Sequence, residues 1–372
     1  MKKILLVCCI MWVQIFAYAQ PRQINFEEGS FKDALTKAKD MDRLLFLDAY
    51  TSWCGPCKTM AKEVFTLDSI ADFFNSHLVS LKMDMEKGEG IQLKEKYQIE
   101  VYPTFLLLNG DGQEVYRMVG SCSPDRFLSS IKKGMAPENS MLVWEERYKE
   151  GERSADFIEQ YSAFLAKSCQ LKQLQQVVED FFKDKSVEQI CQEENWKIYD
   201  LYVKDINSDL FHKMVDEVEL FKELKGVEVI DKKLSDEYVN VIFSSISGHE
   251  PLSESQSCQY EKDIRKMNIQ DEETLFYLNS YLYLATLRAQ KKYDTILDIC
   301  EAGPKNYAPE RKATIVMSLI FLTDGTKEQR LRGIQLLKRE AEAEKKRSGT
   351  LPPNVDQVLG YIFYKLKGED IK

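Results

Sequence analysis

The stretch that decides the fold is residues 44–58, LLFLDAYTSWCGPCK, in which an apolar run is followed closely by two cysteines. The run from Leu44 to Leu47 has no polar alternation, which is typical of a β-strand covered on both faces. A thiolate at the start of the helix expected next is stabilised by unpaired backbone N–H groups, so Cys54 is the candidate nucleophile. Cys57 lies one turn deeper and is the candidate resolving thiol.

Two cysteines at this spacing can also form half of a zinc site. A structural zinc ion needs two further ligands, but the sequence has only three histidines and no second C-x-x-C pair. The Gly-Pro pair between the cysteines also favours a rigid redox turn. A redox pair is therefore the preferred interpretation, and neither a metal nor a cofactor is expected.

The sequence around the cysteines, from about residue 24 to residue 134, alternates between helices and short strands, which indicates an α/β layer structure. Ser30 and Asp33 predict a capped helix that begins at Phe31. Asn109–Gly112 predicts a hairpin turn between the last two strands, because Asn, Asp and Gly tolerate positive φ. The predicted strands cover residues 44–47, 78–83, 105–108 and 115–119, and a last helix begins near Pro124.

The block Trp53–Lys58, together with Tyr102–Thr104, resembles the active-site pattern and the cis-proline segment of the thioredoxin superfamily. The resemblance covers roughly residues 24–134. It implies that Pro103 is cis, lies beside the cysteines and leaves the backbone of Tyr102 free to pair with a substrate strand. A trans proline that opens an edge strand is the alternative.

The resemblance also implies roles for Asp48 and Trp53. Asp48 occupies the position of a buried acid behind the resolving cysteine, where an apolar site raises its pKa and makes it a proton acceptor for Cys57; a solvated strand end is the alternative. Trp53 is expected to shield the disulfide and offer an apolar contact surface. The lysine that faces the acid in the family aligns with Ser80, and Lys82, on the same strand face, is its expected substitute.

The second half of the chain is predicted to be helical. With 372 residues, two domains are expected beyond a leader: residues 1–19 as a signal peptide, 20–136 as a thioredoxin-like α/β domain and 137–372 as an all-α domain. The all-α part is either a tetratricopeptide-like array of helical hairpins or a compact irregular bundle. The predicted helices include residues 157–165, 171–181, 275–287, 293–300, 315–321 and 331–340.

The first twenty residues have the composition of a secretory leader. Lys2 and Lys3 precede an apolar stretch from Ile4 to Ala17, and Ala17-Tyr18-Ala19 forms an A-x-A cleavage pattern. Export to the periplasm is therefore expected, and an uncleaved anchor is the alternative. The net charge of −9 opposes binding to phosphate backbones, so no nucleic-acid partner is expected.

The sequence predicts an exported protein-disulfide reductase or isomerase that acts through a mixed disulfide. Its expected partners are disulfide-containing protein substrates, a membrane or soluble thiol electron donor and a protein partner on the helical domain. Two alternatives remain open. In the first alternative the protein is an adaptor, in which the helical half binds a partner and the thioredoxin-like half is a scaffold. In the second, the cysteine pair is a redox sensor.

Overall fold

The computed structural model describes residues 22–247, 251–302, 322, 324–349, 360 and 366–367. The chain divides into two compact units, one ending at Phe181 and the other beginning at Phe182. The leader predicted at residues 1–19 and the helix predicted at residues 315–321 lie outside the described residues.

A four-stranded mixed sheet forms the centre of the first unit. Its spatial order is β2-β1-β3-β4; β1 and β2 are parallel, and the other neighbouring pairs are antiparallel. Each strand predicted from the sequence is present, which confirms the α/β class. The strands are β1 (Leu44–Tyr50), β2 (Leu78–Asp84), β3 (Thr104–Leu108) and β4 (Glu114–Val119).

Helices surround this sheet and continue beyond it along the chain. The first helix is capped as predicted, because the Ser30 hydroxyl accepts from the Asp33 N–H and the Asp33 carboxylate accepts from the Ser30 N–H. The Asn109–Gly112 turn is also present, with Gly112 at a φ of 73°. The helices are α1 (Phe31–Asp40), α2 (Gly55–Thr59), α3 (Asp68–His77), α4 (Glu89–Lys96), α5 (Pro124–Gly134), α6 (Met141–Lys149), α7 (Ala155–Lys167) and α8 (Leu171–Phe182).

The core of the first unit lies on both faces of β1. On one face, the Phe46 ring packs edge-on against the Phe74 ring at 4.8 Å, and the Phe74 ring stacks on the Phe127 ring at 5.4 Å. On the other face, Leu45 and Leu47 belong to a separate buried cluster. Because β1 is buried on both sides, the position of the residues directly after it is well defined.

The first unit extends past the sheet-containing region. Helix α6 packs against the edge strand β4, and the Gln170 amide between α7 and α8 donates to the Glu114 carboxylate at 2.8 Å. The first compact unit ends at Phe181, and the domain boundary expected at residue 136 stays a prediction.

In the second unit, every regular element among the described residues is helical, in agreement with the predicted all-α character. None of the described helices has the length and apolar character needed to cross a membrane. The arrangement as tetratricopeptide-like repeats stays a prediction. The helices are α9 (Val187–Ile190), α10 (Glu193–Tyr202), α11 (Asp209–Asp216), α12 (Val218–Lys225), α13 (Val227–Ser247), α14 (Glu254–Lys266), α15 (Glu272–Ala289), α16 (Tyr293–Ala302) and α17 (Lys327–Ser348).

Candidate active site

The two cysteines of the C-x-x-C pair are joined by a disulfide at the start of α2. Their Cα atoms are 5.3 Å apart, and Cys54 is the N-cap residue of the helix. The Cys54 sulfur accepts a hydrogen bond from the Cys57 backbone N–H at 3.1 Å. When the disulfide is reduced, the Cys54 sulfur at this position faces unpaired N–H groups and the positive end of the helix, which stabilise a thiolate.

Local contacts on both sides determine where the disulfide lies. Before it, the Cys54 N–H donates to the Thr51 carbonyl at 3.1 Å and closes a tight turn directly after β1. After it, α2 continues into a π-helical segment, Met60–Val64, whose two end residues are buried in the core. The disulfide is therefore held between a buried strand and a buried helical segment, with little freedom to move.

Pro103 lies at the same end of the sheet as the disulfide, where β1 ends and β3 begins. β3 runs antiparallel to β1 and pairs Thr104 with Ala49, so the residue before β3 lies beside the end of β1. The Tyr102–Pro103 peptide bond is cis, as the resemblance implied. The main-chain N–H and C=O of Tyr102 make no hydrogen bond to any residue in the part of the chain that the structure describes. They remain available to an added strand.

Trp53 forms an exposed apolar surface next to the disulfide. Its side chain is 65% exposed, and its ring packs edge-on against the Tyr102 ring at a centroid distance of 6.1 Å. The indole N–H donates to both carboxylate oxygens of Glu86 at 3.0 Å, while the Glu86 N–H donates to the Asp84 carboxylate at 3.1 Å. These hydrogen bonds orient the ring beside the cysteines.

Sequence reasoning did not find Glu86. The available signal is its place directly after β2: because β1 and β2 are parallel, their carboxyl ends meet at one edge of the sheet. A residue just beyond β2 is thereby brought near Trp53, which lies just beyond β1.

Asp48 is a buried carboxyl in β1 with one cationic neighbour on β2. Burial raises its pKa from 3.8 to about 7, and the Lys82 ammonium acts in the opposite direction. Sheet register places Lys82 directly opposite Asp48, whereas Ser80 lies opposite Phe46. The parallel pairing that begins at Leu44 and Leu78 thus confirms that Lys82 is the residue that faces the acid.

Asp48 also lines a groove of about 390 Å³ that it shares with Lys82. The groove is also lined by Ala61, in the π-helical segment Met60–Val64, and by Phe65 directly after it. Asp48 thus shares the groove with the helical segment that follows Cys57, and the groove opens its carboxyl toward solvent. A buried carboxyl with a pKa near neutrality and access to water is suited to accept and release a proton.

Metal-binding groups and further reactive thiols were the other candidates for a chemical site. Among the described residues there is no group of three or more His, Cys, Asp or Glu side chains that could hold a metal ion. Four further cysteines, Cys122, Cys169, Cys191 and Cys258, are not in disulfides, and burial raises the pKa of the Cys122 and Cys191 thiols. Neither of these two is therefore a ready nucleophile.

Comparison with known proteins places this site in a family. A family profile described as a thioredoxin-like domain matches residues 31–134. The thioredoxin H-type of Oryza sativa subsp. indica is 37% identical over 98 residues, which are 26% of this chain and 75% of that protein. The chain belongs to the thioredoxin superfamily. The matched region contains each residue that the sequence nominated for the site: Asp48, Trp53, Cys54, Cys57, Tyr102 and Pro103.

Other relatives within the superfamily cover smaller or similar parts of the chain. Thioredoxin-1 of Drosophila melanogaster is 43% identical over 67 residues, which are 18% of this chain and 58% of that protein. The chain spans less than two thirds of the length of this and two other fly thioredoxins. A solution structure of a candidate disulphide-isomerase from Bacteroides thetaiotaomicron shares 49% identity over 31% of this chain and 96% of its own, with a TM-score of 0.29.

Proposed function

We propose that this thioredoxin superfamily member is a thiol-disulfide oxidoreductase that reduces or isomerises disulfides of exported proteins. The observation that carries the proposal is the Cys54–Cys57 disulfide with Cys54 at the N-cap of α2. That position favours a thiolate on the first cysteine, and the second cysteine is already within bonding distance. A scaffold with no redox role has no need of either feature.

The proposed reaction starts from the reduced pair. The Cys54 thiolate attacks one sulfur of a substrate disulfide, forms a mixed disulfide and releases the other substrate sulfur as a thiolate. The Cys57 thiol gives its proton to ionised Asp48 and attacks the Cys54 sulfur. The products are a Cys54–Cys57 disulfide and a substrate with two thiols. Two electrons have passed from the enzyme to the substrate, so an external thiol donor must restore the reduced pair.

Substrate binding is proposed at the sheet edge around the disulfide. The exposed ring of Trp53 offers apolar contact area, and the unpaired main-chain groups of Tyr102, beside Pro103, can pair with an extended substrate segment. Main-chain pairing is tolerant of substrate sequence. This arrangement supports protein substrates rather than one small disulfide.

Loss of the nucleophile tests the redox proposal directly. The reduced wild-type protein is expected to reduce insulin disulfides catalytically with dithiothreitol as electron donor, and Cys54→Ser to show only the uncatalysed rate. Cys169→Ser, which removes an exposed thiol elsewhere in the first unit, is the matched control and should retain full activity. Equal rates for the wild type and Cys54→Ser would contradict the proposal and favour the adaptor interpretation.

The direction of electron flow is tested by the reduction potential of the pair. The Gly-Pro sequence between the cysteines resembles reducing members of the superfamily, so we expect a value below about −200 mV. Equilibration with glutathione or dithiothreitol, followed by mass spectrometry of alkylated protein, measures it. A value near the strongly oxidising end, about −120 mV, would contradict a reductase and indicate an oxidase.

Action outside the cytoplasm, in the periplasm, is the remaining part of the proposal. It is supported by the secretory composition of residues 1–19. In an oxidising compartment the reduced pair needs continuous re-reduction, which is consistent with a membrane or soluble thiol donor as partner. Trapping substrates in cells with Cys57→Ser also tests this location.

A further inference from the structure

A groove in the second unit lies between α14 and α15, far along the sequence from the cysteine pair. Its volume is about 720 Å³. Each helix contributes residues spaced by three or four positions, so one continuous stripe of each helix faces the groove. The stripes include Glu254, Cys258 and Glu261 from α14 and Leu282, Tyr283 and Thr286 from α15.

The groove carries negative charge. Glu254 and Glu261 are the charged residues that line it, and none of the described residues along its walls is a lysine or arginine. Glu254 has no ion-pair partner in the described part of the chain. Glu261 pairs with Arg265 one turn further along α14, but the Arg265 side chain is well exposed and does not line the groove. An occupant with positive charge is therefore favoured over a neutral or acidic one.

The groove also offers apolar contact surface. The floor is apolar, because Leu252 and Leu282 are nearly completely buried there, and the half-exposed Tyr283 ring borders it.

We propose that this groove binds a peptide segment of a partner protein that carries lysine or arginine next to apolar side chains. The basic groups pair with Glu254 and Glu261, and an apolar side chain packs against the half-exposed Tyr283 ring beside Leu252 and Leu282. The binding involves neither Cys54 nor Cys57. It is therefore independent of the proposed redox function and gives a chemical identity to the partner expected for the helical part.

Cys258 provides a reporter inside the groove. Its side chain is exposed and its thiol is not in a disulfide, so a bound segment should shield it from alkylation. Cys169 is also exposed but lies in the first unit, and serves as an internal reference in the same molecule. The probe is a twelve-residue synthetic peptide of alternating lysine and leucine, compared with one of alternating glutamate and leucine.

The test measures iodoacetamide labelling of both cysteines by peptide mass spectrometry in the full-length oxidised protein. We expect the lysine peptide to slow labelling of Cys258 at saturation while labelling of Cys169 is unchanged. The double variant Glu254→Gln/Glu261→Gln should need about 5- to 30-fold more peptide for half protection. Glu272→Gln/Glu328→Gln, which changes two helix-start carboxylates outside the groove, should behave as wild type.

Several outcomes would overturn the proposal. They are equal protection by the glutamate peptide, no protection by either peptide, or an unchanged half-protecting concentration in the groove variant. Slow Cys258 labelling in the free protein would indicate that another part of this chain or a second copy occupies the groove. If the variant does not fold, the salt dependence of the wild type is the second measurement. Raising sodium chloride from 0.05 to 0.5 M should weaken the protection of Cys258 by the lysine peptide. Protection that does not depend on salt would contradict the charge complementarity.

Discussion

Replacing Cys57 with serine is expected to convert a transient mixed disulfide into a stable covalent adduct. In this variant Cys54 keeps its place at the N-cap of α2 and can still attack a substrate disulfide. The serine hydroxyl that replaces the resolving thiol cannot attack the Cys54 sulfur at neutral pH, so the reaction stops at the intermediate. Insulin reduction should fall to background, while an adduct visible on a non-reducing gel and released by dithiothreitol accumulates.

The trap is most informative when it is performed in cells. Adducts of Cys57→Ser purified from the periplasmic fraction should identify the substrates, and Cys54→Ser/Cys57→Ser should capture nothing. Adducts found only in the cytoplasm would contradict export. If no adduct forms with insulin or in cells although Cys54 is reduced and alkylatable, the proposal that the protein acts on protein disulfides is wrong.

Replacing Asp48 with asparagine is expected to stabilise the first unit at alkaline pH. Burial raises the pKa of Asp48 from 3.8 to about 7, so between these values the unfolded chain is ionised while the folded protein holds a proton. Wild-type stability therefore falls as the pH rises from about 4 to 7, and the loss reaches about 4 kcal/mol above pH 7. Asparagine does not ionise and avoids this loss.

The free energy of unfolding is measured in a denaturant series at pH 4, 6 and 8. Hydrogen exchange of peptides from β1 and β3 reports the unfolding of the first unit. The free-energy difference between Asp48→Asn and wild type should grow from pH 4 to pH 8 by up to about 4 kcal/mol. A difference that does not depend on pH would show that Asp48 is not a titrating buried group. Ser80→Ala, which changes a neighbouring buried side chain on β2 without removing a charge, should show no pH dependence.

The same substitution should slow catalysis if Asp48 accepts the Cys57 proton. General-base catalysis typically contributes at least about 100-fold, so resolution of a preformed mixed disulfide should slow by about that factor in Asp48→Asn. In the wild type this rate should rise with pH around 7, and in the variant that rise should disappear. Lys82→Met removes the group that lowers the Asp48 pKa, so it should move the wild-type rise to higher pH.

Much of the first unit could be predicted because its signals are local. The unbroken apolar run of β1, the Ser30 cap and the Asn109–Gly112 turn each report the conformation of their own few residues. The position of the two cysteines could be predicted in the same way, because a strand that ends shortly before them places them at the start of the next helix. The resemblance added the cis state of Pro103, which no local pattern determines.

Features that depend on residues far apart in the chain were predicted less completely. Lys82 was expected to face Asp48, but the exact register of β2 on β1 is set by packing of both strands against the core. Glu86 reaches Trp53 for the same reason. Helix α6 packs against β4, Phe164 of α7 contacts Tyr116 and Gln170 bonds Glu114, but the apolar faces of these helices alone do not reveal what they pack against.

The sequence by itself therefore determined the α/β class, the placement of the cysteine pair and the helical character of the second half, because each follows from the spacing of neighbouring residues. Only the tertiary structure decided the exact register of β2 on β1, the Glu86–Trp53 hydrogen bonds and the acidic groove between α14 and α15. Each of these features requires contact between segments that are distant in the sequence. Such contacts are determined by the packing of the whole core rather than by any one segment.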